Sequence, residues 1–185
     1  MGRFPRSFAA LFAAAVTAAI PVSAETVNVA PSTQWNVDFG DESCRLARLF
    51  GEGEDRHALF LEQFYPAASA SLTAAGPGFR RFRNRARTRL RLFEAEEGRI
   101  GNPFSGEVEG VGDAVVYSYL RCDDEPHEDG DQDSDKSGLP QLDAEWAKRI
   151  DFVSLKQGGK EVRLLTGPLG EAFEVLNLCA QGLVE

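Results

Sequence analysis

Three groups of side chains in this sequence have types and spacings that could do chemistry. The first is Phe79 to Phe93, FRRFRNRARTRLRLF, with seven arginines in a chain that is acidic overall. Arg83, Arg85, Arg87, Arg89 and Arg91 alternate, so an extended backbone would line them on one face. Ala86, Thr88, Leu90 and Leu92 would take the other. Neighbours on the arginine face would stand about 7 Å apart and repel by roughly 0.6 kcal/mol per pair in water. Such a row asks for an anion beside it, and guanidinium forks suit phosphate, sulfate and carboxylate oxygens. An internal anion is available in Asp123 to Asp135, which holds eight carboxylates in thirteen positions. An external one would be a lipopolysaccharide phosphate, an anionic glycan or an acidic partner protein. The bland alternative is a solvated edge strand whose charges only prevent aggregation, since surface ion pairs contribute little.

The second group is Cys44, Cys122 and Cys179, together with His57 and His127. A Cys44–His57 nucleophile pair is conceivable, because the two fall on adjacent predicted strands. In an oxidising compartment a structural cysteine and a packed histidine explain them more simply. Three cysteines allow one disulfide in three ways. Cys44–Cys179 is favoured, because both lie in well-patterned segments while Cys122 borders the acidic stretch. The third group, Asp129, Asp131, Asp133 and Asp135, alternates like a calcium loop. Against the EF-hand pattern from Asp131, Lys136 replaces the sixth-position glycine and Leu142 the twelfth-position glutamate. A solvated acidic loop is therefore expected, with no metal and no cofactor. Phosphate-loop, dinucleotide, Gly-x-Ser-x-Gly and HExxH motifs are absent from the sequence.

The chain's address comes from its first 24 residues. Arg3 and Arg6 precede an uncharged apolar run, Phe8 to Ile20, and Pro21 leads into the small residues Val22-Ser23-Ala24. This reads as a signal peptide cleaved after Ala24. The run is shorter than the roughly 20 residues a membrane-spanning helix needs. The expectation is a single mainly β domain over residues 25–185, periplasmic or secreted and without a transmembrane span. Net charge is −9, and removal of Arg3 and Arg6 takes it to −11. That balance argues against general nucleic-acid binding, which needs a basic face.

Short apolar-rich runs punctuated by glycine and proline must position these groups. Strands are predicted at Thr33–Phe39, Glu42–Phe50, Arg56–Tyr65, Ser69–Ala75 and Asp113–Arg121. Arg56–Tyr65 is apolar on both faces, which suits a central strand. The arginine segment carries two competing periodicities. Phe79, Phe82, Ala86, Leu90 and Phe93 make a helical stripe, whereas strand alternation fits Ala86–Phe93, with 79–85 as a lead-in. All-β neighbours favour the strand. Gly98–Gly112 reads as connection, and 123–138 as a solvated acidic loop. Leu139–Lys148 allows one or two helical turns. Arg149–Lys156 and Glu161–Thr166 form a hairpin about Gln157–Lys160. Leu169, Phe173, Leu176, Ala180 and Leu183 mark a terminal helix opened by Pro168. The expected fold is mainly β, an antiparallel sandwich or curved sheet of about eight strands capped by a C-terminal α-helix.

Two motifs carry a resemblance. One is Trp35-x-Val37-Asp38-Phe39-x-Asp41-x-Ser43-Cys44-Arg45-Leu46-Ala47-Arg48-x-Phe50-Gly51. The other is Leu165-Thr166-Gly167-Pro168-Leu169-Gly170-x-x-Phe173-x-x-Leu176-x-x-Cys179. Together they resemble a group of exported Gram-negative envelope proteins of unassigned function, some of which continue into a TonB-like domain. The resemblance covers both ends of the chain and little of its middle. It implies an envelope protein in which Cys44 and Cys179 are partners. This chain has neither the further domain nor a proline-rich linker before Glu185. A non-catalytic binding or docking module is the leading expectation. Its alternatives are the front domain of a TonB-like transducer and a Cys/His hydrolase.

Overall fold

Period-two alternation in short runs builds two sheets whose apolar faces meet in one core. The computed structural model describes residues 25–122 and 139–184. The predicted signal peptide, the acidic segment 123–138 and the calcium-like aspartates lie outside the described residues. The strands are β1 (Glu25–Val29), β2 (Asn36–Phe39), β3 (Cys44–Phe50), β4 (His57–Gln63), β5 (Ser69–Ala75), β6 (Thr88–Arg91), β7 (Arg99–Gly101), β8 (Phe104–Val108), β9 (Gly112–Arg121), β10 (Val153–Gln157) and β11 (Lys160–Leu164). The helices are α1 (Ala144–Ala147) and α2 (Gly170–Gly182). Sheet A runs β1-β11-β10-β6-β7 and sheet B runs β2-β3-β4-β5-β9-β8. Every described pairing is antiparallel except β1 with β11. The fold is mainly β with a C-terminal helix, as the sequence pattern implied.

Leu46, Leu59, Leu61 and Leu72 from sheet B share the core with Leu90, Leu155, Val162 and Leu164 from sheet A. The α2 stripe joins them: Leu169, Phe173, Leu176 and Ala180 are all buried. Asn177, also buried, donates through Nδ2 to the Leu142 carbonyl and accepts the Leu142 N–H, both at 2.9 Å. That two-way bond fastens the segment before α1 to α2. Cys44 and Cys179 are disulfide-bonded, with Cα atoms 5.9 Å apart, so β3 and α2 are covalently joined. Cys122 keeps a buried thiol.

Two expectations need correction, and one strand is added to those the sequence predicts. Gly98–Gly112 is not plain connection: it contains β7 and β8, which extend β6 and β9 through backbone pairing despite few apolar residues. Glu25–Val29 forms a strand that its own composition does not announce, because its partner β11 lies 135 positions away in register. The arginine strand is only Thr88–Arg91, half the expected length. Arg85 has φ of 52°, a left-handed conformation that interrupts any extended run. Before it, the Gln157 side chain stands in for a neighbouring strand. Its Oε1 accepts from the Arg83 N–H at 2.6 Å, and its Nε2 donates to the Arg83 carbonyl and to Thr88 Oγ1. Both competing periodicities are thus used in turn. Phe79 and Phe82 pack edge to face at 5.3 Å, and then Thr88, Leu90 and Leu92 alternate inward.

The disulfide closes a sequence separation of 135 residues. In the chain-entropy model such a link is worth about 5 kcal/mol. Replacing both Cys44 and Cys179 by alanine is expected to lower the unfolding free energy by about 2–5 kcal/mol, read from urea denaturation midpoints.

Candidate functional site

Sheet A turns its apolar side to the core, so its other face is left to polar residues in registered rows. Arg89, Lys156 and Glu161 form one row, and Arg91, Ser154 and Arg163 the next. Beyond them lies the buried ring of Phe152, with the Arg163 guanidinium 4.1 Å and that of Arg91 5.8 Å from its centroid. Cation–π contact of this kind holds both guanidiniums on the face. The surface opens as a cleft of about 550 Å³, lined by Arg89, Arg91, Ser154, Lys156 and four glutamates.

Those glutamates identify what answers the arginines. The chain leaving β6 folds back as an acidic strap, Glu94-Ala95-Glu96-Glu97. Glu96 Oε2 accepts the Leu92 N–H at 2.7 Å, closing the strap's first turn. Its other oxygen lies 3.3 Å from Arg99 Nε. Arg89 Nη1 donates to the Glu97 carbonyl at 2.9 Å, and Arg91 Nη2 donates to Glu94 Oε2 at 2.8 Å. Arg163 pairs with the other Glu94 oxygen. Glu94 is therefore one solvent-exposed carboxylate clasped by two guanidiniums. Hydrogen bonds from Arg163, then from Arg91, hold its pKa below the usual carboxylate range. Burial opposes ionisation of Glu161, but Ser154 Oγ at 2.7 Å and Arg163 outweigh it and keep that carboxyl charged too. Gly98 makes the return possible. Its φ is +87°, and a Cβ there would lie 2.6 Å from Arg91 Cγ and 2.8 Å from Arg89 Cγ.

The five predicted arginines are thus divided. Arg89 and Arg91 share the cleft, joined by Lys156 and Arg163, which sequence alone did not single out. Arg83, Arg85 and Arg87 lie before the strand, exposed. Arg85 stacks over Phe104, 4.8 Å from the ring centroid, beside sheet B. The continuous five-arginine face does not form, because the backbone turns at Arg85.

The two cysteine-bearing ends meet, whereas Cys44 and His57 do not. β3 and β4 pair Cys44 with Gln63 and Phe50 with His57, which separates the two candidates by six residues, or about 20 Å. The Cys44 sulfur is in the disulfide. Both His57 nitrogens are occupied: Nδ1 lies 2.7 Å from the Asp55 carbonyl, and Nε2 accepts the Gly78 N–H at 3.0 Å. This bonding defines a neutral tautomer with Nδ1 protonated. Gly78 has no room for a side chain there, since a Cβ would lie 2.7 Å from Nε2. His57 positions the turn after β5.

Among the described residues, no helix is long and apolar enough to cross a membrane, and no cluster of three or more metal-ligating side chains forms. No family model, curated protein or solved structure matches this chain.

Burial lowers the His57 pKa below its ordinary 6.5. An unfolded chain takes up the proton near pH 6.5 while the folded chain resists it, so stability falls as pH drops through that value. Thermal melts from pH 7.5 to 5 are expected to show this decline, and His57→Gln should flatten it while lowering stability at neutral pH.

Proposed function

We propose that this chain is an exported, non-catalytic envelope module that binds an anionic glycan or lipopolysaccharide phosphate at the sheet A cleft. The observation that carries the reading is Glu94, an exposed carboxylate held between Arg91 and Arg163 at the mouth of a cleft that also contains Arg89 and Lys156. A carboxylate in that position is chemically equivalent to one oxygen pair of an incoming phosphate or sulfate. Glu96 and Glu161 are committed to a backbone N–H, a hydroxyl and arginines, so they stay with the fold. Glu94 has no burial to hold it. Its outward rotation would release Arg91 and Arg163 from that carboxylate, beside Arg89 and Lys156, a surface whose anion binding salt would weaken. The disulfide and the apolar leader of the sequence support an address outside the cytoplasm.

Binding of the protein to lipopolysaccharide and to a sulfated glycan, at low and high salt, tests this reading. Glu94→Gln should raise affinity several-fold, because the arginines lose their internal competitor, and Arg89→Ser with Lys156→Ser should lower it by at least as much. High salt should suppress binding by every version. If none of the versions bound either ligand, or if the arginine and lysine changes left binding intact, the reading would be wrong.

A further inference from the structure

A second surface lies where the outer strand of sheet B meets α2. β2 is hydrogen-bonded to β3 along one edge, and among the described residues no strand bonds to its other edge. Edge N–H and C=O groups of this kind are a template for another extended chain. Beside that edge runs a groove of about 480 Å³ lined on the strand side by Trp35, Val37 and Phe39, and on the helix side by Pro168, Ala172 and Val175. Phe39 is 62% exposed and Val175 41% exposed, so apolar side chains face solvent from both walls.

The alternation of β2 sets what would fit. Val37 and Phe39 pair with the buried Leu46 and Cys44, which places them on the inner face, toward α2. Asn36 and Asp38 occupy the outer face. An added strand would therefore insert every second side chain into the groove and set the others beside Asp38. Glu171 stands on the helix rim. Neither Asp38 nor Glu171 lies within salt-bridge distance of a cation among the described residues; Lys148 acts on Glu171 only at longer range, and the one cation opposite Asp38, Arg45, is committed to Glu62 at 2.7 Å. The surroundings are thus apolar inside and acidic at the rim. A second copy pairing through β2 would bring another Asp38 to the same acidic strip, which like-charge repulsion disfavours. The groove is also held at fixed width, because the Cys44–Cys179 bond ties α2 to β3, the strand next to β2.

We infer that the β2–α2 groove binds an extended segment of a partner protein, adding it to sheet B as a seventh strand, with apolar residues at alternate positions and lysine or arginine between them. Main-chain ladder bonds supply affinity, and the groove and acidic rim read the side chains. The occupant is a peptide, chemically opposite to the anion of the sheet A cleft, so the two sites stand or fall separately.

Selection from a random heptapeptide display library against the disulfide-intact protein tests the inference. The selected peptides should alternate apolar and basic residues. A synthetic copy of the best one should bind at least tenfold more weakly to Val175→Asp and to Phe39→Thr. It should lose as much when alternate backbone nitrogens are methylated, and nothing when Arg89 and Lys156 are replaced by serine. Both groove positions are exposed, so neither change empties the core. Enrichment without alternation, indifference to backbone methylation and to Val175→Asp, or self-association through β2 in sedimentation runs would overturn it, as would no enrichment at all.

Discussion

The covalent bond between β3 and α2 is the constraint on which the rest of the molecule depends. Two sheets of short strands bury their apolar faces well enough where they meet. Their open end, between β2 and the core, needs a lid. Helix α2 supplies Phe173, Leu176 and Ala180 to that end, and the Cys44–Cys179 bond removes its freedom to move apart from β3. The disulfide removes that freedom in the unfolded ensemble as well as the folded one. Asn177 then uses the fixed helix as an anchor for the segment entering α1. A bridge near the chain's two ends thus secures the lid, the neighbouring helix and one wall of the β2–α2 groove.

Charge is managed by a different principle. Seven arginines in fifteen residues suggest a strong field, and the long acidic segment suggests its compensation. In the fold, the arginines of β6 are met only a few residues away, in the strap that follows the strand, Arg91 by the Glu94 carboxylate and Arg89 by the Glu97 backbone carbonyl. Local answering costs little loop-closure entropy and fixes geometry within a single turn. The remaining cations, Lys156 and Arg163, come from the hairpin paired beside β6. The cleft is consequently close to charge balance, with Glu94 and Glu97 as its solvent-exposed carboxylates. The β2–α2 groove has the reverse character, apolar walls with an acidic rim.

Much of this architecture was legible in the sequence. Short apolar-rich runs bounded by turn residues placed β3, β5, β9 and the β10–β11 hairpin, and apolar residues on both faces placed β4 as a central strand. The helical stripe from Leu169 to Leu183 placed α2, because burial selects apolar residues at the period of the element that carries them. The favoured disulfide followed from the quality of patterning around Cys44 and Cys179. Less legible were β1, β7 and β8, which are polar or short and exist because a neighbouring backbone is there to pair with. The arginine segment misled for a related reason. Its alternation was real in composition, yet the left-handed turn at Arg85 and the Gln157 clamp halve the strand.

By itself, then, the sequence determined the mainly β class and the capping helix, and it favoured the Cys44–Cys179 closure that the fold makes. These rest on periodicity and residue type, which are local properties. Only the tertiary structure decided which charges meet: Glu94 of the strap with Arg91 and with Arg163, the latter and Lys156 coming from a hairpin more than sixty residues downstream. It alone placed the edge of β2 beside α2. Both outcomes depend on strand register and on which edges remain unpaired, and those are set by long-range backbone pairing that no local pattern encodes.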